Sequence, residues 1–297
     1  GVSFLVFFIM SLSPVDPAYS ALGESATPEA LEAYRNQHGL NDPFFIQYGR
    51  YLWNMIHGDL GTYGAGSSSV TDLVAKALPL TLQLTFLGLF IAVLISFPLG
   101  VLAALYRDRW PDQVIRVFSV IGIGTPSFWL AALLVLAFLH SPLKVSGEVP
   151  ALTVNPTGWF LRMLLPAIAL AVPVIGQMTR VVRTSMVEEL DRDYVRTAVG
   201  AGIPKSIVVA RNVLRNALIT PVTVLGLRVG YLMGGAVVIE IIFSINGMGK
   251  AVLLKGIQEN WVTLVQGGAL VVAIAFIIVN IIVDVLYLLI NPRIRSV

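Results

Sequence analysis

The sequence predicts an all-α integral membrane protein with six transmembrane helices, the first of them truncated at its N-terminus. Three observations carry that expectation. Hydrophobic residues make up 56% of the 297 and charged residues only 12%, where soluble domains are nearer a quarter charged, and the mean hydropathy is +0.81. Five long apolar runs reach or approach the roughly 20 residues needed to cross the hydrocarbon core. The runs are continuous and not alternating, which favours helices over a barrel.

In chain order, residues 1–12 open inside an apolar run, GVSFLVFFIM, with no Met and no basic flank. They read as the remainder of a first membrane helix, not as a secretory signal peptide. The further spans are 80–105, 117–139, 163–179, 219–243 and 264–290, the short fourth one continuing into the polar segment beyond it. Lysine and arginine set the orientation. Residues 106–116, 180–218 and 291–297 hold 12 of the 20 basic residues; 13–79, 140–162 and 244–263 hold seven beside nine acids. The first group is therefore expected to be cytoplasmic, with both termini inside. The chain divides into the first-helix remnant (1–12), an outer segment (13–79), helices two to six with a cytoplasmic hairpin at 180–218 (80–290), and a tail (291–297).

The outer segment shows helix grammar. TPEALEAYRNQHG has Thr27 as N-cap, Pro28 in the first turn and Gly39 past the end. DPFFIQYGRYLWNMIHG repeats it from Asp42-Pro43 to Gly58, with Phe44, Phe45, Tyr48, Tyr51, Leu52 and Met55 largely on one face. That face suits either the membrane interface or the outer ends of the spans. GTYGAGSSSV, after it, reads as a flexible loop.

The spans carry helix breakers: Gly122, Gly124 and Pro126 in the third, Pro166, Pro173 and Gly176 in the fourth. Gly226, Gly230 and Gly234, in the fifth, recur at the spacing that lets helices approach closely. Such helices suit a pathway that opens and closes, or plain tight packing. Polar or kink residues Thr125, Ser127, Gln177 and Thr223 are candidates to line it. Three ionisable residues fall inside spans, where charge is costly and marks function. Arg228 and Asp284 lie at depths compatible with an ion pair between the fifth and sixth helices, or with substrate contact. Glu240, near an outer end, reads as an interfacial residue or part of an outer gate.

The cytoplasmic stretch DRDYVRTAVGAGIPKSIVVARNVLRNAL is too structured for a connector. Asp191 or Asp193 suits a helix start, and Tyr194, Val195, Ala198 and Val199 form an apolar stripe. Gly202 fits a left-handed helix end and Pro204 the first turn of a second helix, running to about Leu218. Such a rigid knob offers a partner groove something to grip.

That hairpin resembles the "EAA" loop of ABC-importer permeases. The Ala198-x3-Gly202 core is present; Arg196 and Thr197 replace the first two letters, and Leu214-Arg215 stands where Leu-Pro is usual. The departures are similar to the peptide and nickel branch of that family. So are GDLG (58–61), GTPSFW (124–129), GAVVIEIIFSINGMGK (235–250), VQGG (265–268) and NPRIR (291–295), in the same order. The resemblance implies a type I ABC importer permease fold and a subunit that moves di- or oligopeptides by alternating access. It also implies four partners: a homologous second permease, two cytoplasmic ATPases and an extracytoplasmic peptide-binding protein. Asp193, Tyr194, Arg196, Thr197, Ala198, Gly202 and Pro204 would couple to the ATPases. The other substrates it implies are nickel chelates and glutathione-like compounds.

The residues agree on the energy source. No Gly-x4-Gly-Lys-Ser/Thr loop occurs, and SINGMGKA lacks its first Gly and its Ser/Thr. The chain is therefore expected not to be an enzyme and to hold no cofactor or metal, with ATP and Mg in partner subunits. There is no cysteine, and His38, His57 and His140 are not spaced as ligands. A gradient-driven transporter would often show an internal repeat, and none is seen; an intramembrane enzyme would want a catalytic set such as a Ser-Lys dyad or His-Glu-x-x-His, and neither stands out.

Overall fold

A computed structural model describes the chain except residues 24–25, 65–67, 142, 144, 146 and 291–297, and gives the backbone alone at 284 and 286–290. The NPRIR tail therefore lies outside the described residues. The chain forms two compact units, Gly1–Leu82 with Ser244–Ile277, and Gln83–Phe243 with Ile278–Val297.

The first unit holds helices α1 (Val2–Ser11), α2 (Pro17–Leu22), α3 (Pro28–His38) and α4 (Phe44–Ile56). Asp16 caps α2 through the Ala18 N–H (2.9 Å) and accepts from Arg35 of α3 (Nε, 3.0 Å). The grammar expected of α3 is present: Thr27 Oγ1 accepts from the Ala30 N–H, and Gly39 closes the helix at φ +63°. For α4 it is not. Pro43 occupies the N-cap, and Asp42 instead pairs with Arg50 (2.6 Å). Phe44, Tyr48 and Tyr51 of α4 pack on Phe4 and Phe7 of α1, with ring centroids 5.3–5.9 Å apart. Burial there pushes the Tyr51 phenol up to about 12, so it stays neutral. The stretch expected to be a loop is partly a hairpin, with Thr62 opposite Ser69 and Tyr63 opposite Ser68.

Below it, the start of α5 (Val70–Leu105) and of α14 (Val262–Ile290) enclose a π-helical turn, Met248–Leu254, and α13 (Lys255–Gln258). Val70, Val74, Ala77, Met248, Val252 and Leu264 form their core. Thr81 Oγ1 accepts from the buried Met248 N–H (2.9 Å), which satisfies a donor at the start of the π-helical turn.

In the second unit α8 (Pro156–Leu190) is the central element. Over half of its apolar window is buried (56%), against 28–33% in α5, α12 (Ile219–Ile242) and α14. It carries Pro166 and Pro173 without a break, although each proline removes one helical hydrogen bond. The sharp break falls elsewhere. The expected third span is two helices, α6 (Trp110–Gly124) and α7 (Ser127–Phe138), bent by 97° at Thr125-Pro126. The residue before a proline is driven out of the helical region, and Thr125 is extended at ψ 113°.

Among the described residues the six expected spans thus correspond to four helices long enough to cross a membrane, this bent pair and the ten-residue α1. The expected stripe makes a close helix contact at Gly226 but not at Gly234. A Cβ on Gly176 of α8 would sit 2.5 Å from the Ser119 carbonyl of α6, and one on Gly226 would sit 2.6 Å from Val283, while Gly234 faces open space.

Candidate functional site

The hairpin is built on the end of α8. Its last residues lead to Asp191, which accepts from Arg107 (2.8 Å), and to Arg192, the extended N-cap of α9 (Asp193–Gly200). No side chain caps α9, so neither aspartate has the capping role expected of it. Asp193 still places a carboxylate in the first turn, where the helix dipole favours one. The C-terminus closes as a Schellman motif. The Ile203 N–H donates to the Ala198 carbonyl (3.2 Å) and the Gly202 N–H to that of Val199 (3.0 Å), with Gly202 at φ +87°. A left-handed residue is required there, and glycine adopts it without strain.

Pro204 then stands as the N-cap of α10 (Lys205–Val208), one position ahead of the first turn expected for it. A π-helical turn at Val209–Val213 and α11 (Leu214–Ala217) carry the chain to α12. Here the apolar stripe turns inward. Val195 packs with Val182 and Met186 of α8, Ala104 of α5, and Val208, Val213 and Ala217, with Tyr194 and Ala198 at the edge of that core. The Tyr194 hydroxyl donates to Glu189 (2.9 Å), and burial raises its phenol above the ordinary value. The Thr197 hydroxyl donates to the Asp193 carbonyl.

The outward surface is different from the stripe the sequence suggests. Of its four residues only Val199 is exposed, joined there by Arg196, Gly200, Gly202, Ile203, Pro204 and Ile207. The hairpin is therefore tied to the ends of α5 and α8 by its own core and presents an apolar turn at 199–204 flanked by exposed Asp193, Arg196, Thr197, Lys205 and Ser206.

A second link was invisible in the sequence. Asp112 at the start of α6 is fully buried and receives two hydrogen bonds from Arg183 of α8 (2.6 and 2.7 Å) and a third from the Asp108 N–H (3.0 Å). Nothing in the spacing of two residues 71 positions apart signals that pairing.

Two of the pathway candidates flank the bend and the others lie on α8 and α12. Thr125 and Ser127 flank Pro126, and the Thr125 hydroxyl donates to the Ile121 carbonyl. Gln177 follows the Gly176 contact on α8, and its Oε1 is buried without a hydrogen bond among the described residues. Thr223 is exposed on α12 and bonds its own helix at Ile219. Glu240 is fully buried, so the interfacial position does not hold. Arg228 has a buried Nε without a hydrogen bond among the described residues, and the side chain of Asp284 lies outside them.

One buried cation was misplaced by the hydropathy reading. Arg162, expected in an outer loop, lies in α8 at 1% exposure and donates to the Phe243 carbonyl and to that of Gly147 (3.2 Å). It places positive charge at the C-terminus of α12. Arg162→Met keeps the bulk but orphans a buried carbonyl, which should cost about 1–3 kcal/mol. Thermal unfolding of the purified complex would register it; an unchanged transition would mean the carbonyl finds another donor.

Helices long and apolar enough to cross a membrane, one proline-bent pair among them, are the build of an integral-membrane protein. The chain belongs to the family described as binding-protein-dependent transport system inner membrane component, whose model matches residues 96–296, and is the permease subunit of an ABC importer; a companion model, "Binding-prot-dependent transport system membrane comp, N-term", matches residues 1–85. It is a multi-pass inner-membrane protein.

A putative peptide transport system permease protein of Brucella abortus (strain 2308) is 38% identical over 296 residues, covering 99% of this chain and 94% of the relative. A probable D,D-dipeptide transport system permease protein of Escherichia coli K12 is also 38% identical (99% and 93% covered). The glutathione transport system permease protein of the same strain is 36% identical (99% and 94%). Among solved structures, the inward-facing MetNI methionine ABC transporter matches with a TM-score of 0.59 at 15% identity, over 74% of this chain and 96% of that one. An amino acid ABC transporter crystallised with histidines matches at 0.55 and 16% (75% and 94%). At those identities the likeness is one of fold.

Proposed function

We propose that this chain moves di- or oligopeptides inward across the cytoplasmic membrane of a bacterium, by alternating access driven by ATP hydrolysis in partner subunits. The observation that carries the reading is the hairpin at 193–204, packed through its own core on the ends of α5 and α8. Two cytoplasmic ATPases, binding ATP and Mg, close and push on its exposed tip. Because Val195 is locked into the core beneath, the push passes to α8 and α12 instead of bending the loop. Asp193, Tyr194, Arg196, Thr197, Ala198, Gly202 and Pro204 serve this coupling, the tip by contact and Tyr194 and Ala198 by holding it. The chain itself holds no cofactor and catalyses no reaction.

A homologous second permease completes the pathway, with Thr125, Ser127, Gln177 and Thr223 toward the passage and Glu240 at its outer gate. Arg228 and Asp284 are the ion pair expected between α12 and α14, helices that approach each other at Gly226 and Val283. An extracytoplasmic binding protein docks on the outer segments 27–61 and 244–259. A cavity of about 510 Å³ in the first unit, lined by Lys76, Lys250 and Lys255, suits an acidic docking surface.

Peptide is the substrate named for the two relatives at 38% identity. The glutathione relative makes a glutathione-like compound the second reading, and nickel chelates the third. Family membership decides against the gradient-driven alternative. Uptake of a labelled dipeptide into vesicles bearing the full complex should require ATP on the ATPase side and the binding protein on the other. Uptake driven by a proton gradient without ATP would overturn the reading, and competition by glutathione but not by dipeptides would reassign the substrate.

A further inference from the structure

We propose that α4 is a membrane-seated helix whose Phe45–Trp53–Ile56 face lies against the acyl chains of the outer leaflet. Apolar side chains occupy more than half of the α4 circumference, and the structure divides them into two faces. Phe44, Tyr48 and Tyr51 are spent on α1 through the aromatic contacts already described, with Tyr48 also hydrogen-bonded to Ser3 (3.0 Å). A second face is uncovered: Phe45, Trp53 and Ile56 are 77%, 66% and 75% exposed, with Ile46 beside them. At 100° per residue Phe45, Gly49, Trp53 and Ile56 share one stripe, with no charged side chain in it.

The remaining arc is polar, with Gln47 and Arg50 bonded to the chain and Asn54 exposed. Gln47 donates to the Leu40 and Asp42 carbonyls, and Arg50 pairs with Asp42. The helix is therefore held in rotation on two sides, and the bare stripe is what is left over. Its depth identifies the occupant. α4 meets α1 at Phe4, Phe7 and Phe8, three to seven residues before α1 ends at Ser11. At about 1.5 Å per residue that is roughly 5–11 Å inside the end of an apolar helix, the depth at which interfacial helices settle.

The exposed flank of α1 itself, Leu5, Ile9 and Leu12, is apolar throughout, and the Phe8–Phe44–Phe45 ring contacts make the two bare surfaces continuous. A soluble partner would have to reach below the membrane surface to cover this stripe; lipid is already there. The inference rests on the proposed outward placement of residues 13–79, and the test separates the two.

The chain has no cysteine, so single cysteines report cleanly. Trp53→Cys and Phe45→Cys, with Asn54→Cys on the polar arc, would each carry a nitroxide. The labelled chain would be studied in the complete complex, with partner cysteines replaced, in vesicles of phosphatidylethanolamine and phosphatidylglycerol. At positions 53 and 45 collision with oxygen should exceed collision with a water-soluble nickel chelate several-fold more than at 54, and adding the binding protein should not change this. Equal nickel access at all three positions would overturn the proposal. So would immobilisation of the label at 53 on adding the binding protein, which would make the stripe its docking surface. A membrane-impermeant maleimide applied from outside to Asn54→Cys reads the topology independently; labelling only from the inside would refute the outward placement without touching the depth result.

Discussion

Gly202→Val is expected to abolish uptake while leaving ATP hydrolysis in the assembled complex. Gly202 holds φ +87°, and a Cβ there would meet nothing within 4 Å, so crowding is not the problem. The penalty is in the backbone, about 1–2 kcal/mol for an L-residue in the left-handed region and worse for a β-branched one. Relief comes from leaving that region, which breaks the bonds from the Ile203 and Gly202 N–H groups to Ala198 and Val199. The tip would then tilt away from the axis of α9 and the proposed push would no longer reach α8. Gly202→Asn is the discriminating control, since asparagine tolerates the left-handed conformation. It should retain most uptake. If the valine variant transports normally, the coupling role is wrong; if asparagine fails equally, the site acts through contact area and not through chain geometry.

The second large effect concerns the Asp112–Arg183 pair. Asp112→Ala leaves a guanidinium only 18% exposed with no carboxylate, and frees the Asp108 N–H. Breaking one side of a buried pair costs about 3–5 kcal/mol, so this variant should lower the thermal stability of the purified complex more than any surface change. The double variant Asp112→Leu with Arg183→Met removes both charges and should recover most of the loss, because apolar residues of similar volume replace buried pairs well. A single variant as stable as the parent would show that Arg183 swings to solvent at no cost. A double variant no better than the single would show that the carboxylate matters through Asp108, whose φ of +60° marks a turn held by that bond.

Much of the architecture was written in local chemistry. Runs of apolar residues define α5, α8, α12 and α14 because a bilayer selects by length and hydropathy alone. Thr27, Gly39 and Gly202 mark helix ends because capping and left-handed geometry depend on a few neighbouring atoms. The hairpin at 193–204 was legible for the same reason.

What the sequence could not decide is which way faces turn and which distant groups meet. The stripe Tyr194, Val195, Ala198 and Val199 looks the same whether it faces a partner or its own chain; packing on Val182 and Met186 settles it inward. Pro126 and Pro173 are both span prolines, yet only the first breaks its helix; α8 runs unbroken through Pro173 and is buried along much of its length. Arg162 and Asp112 read as loop charges because their partners, the Phe243 carbonyl and Arg183, lie 81 and 71 positions away. Local propensity fixes where helices begin and end. Only the folded chain fixes which charges are buried, because the desolvation that makes them consequential requires several elements to close around them at once.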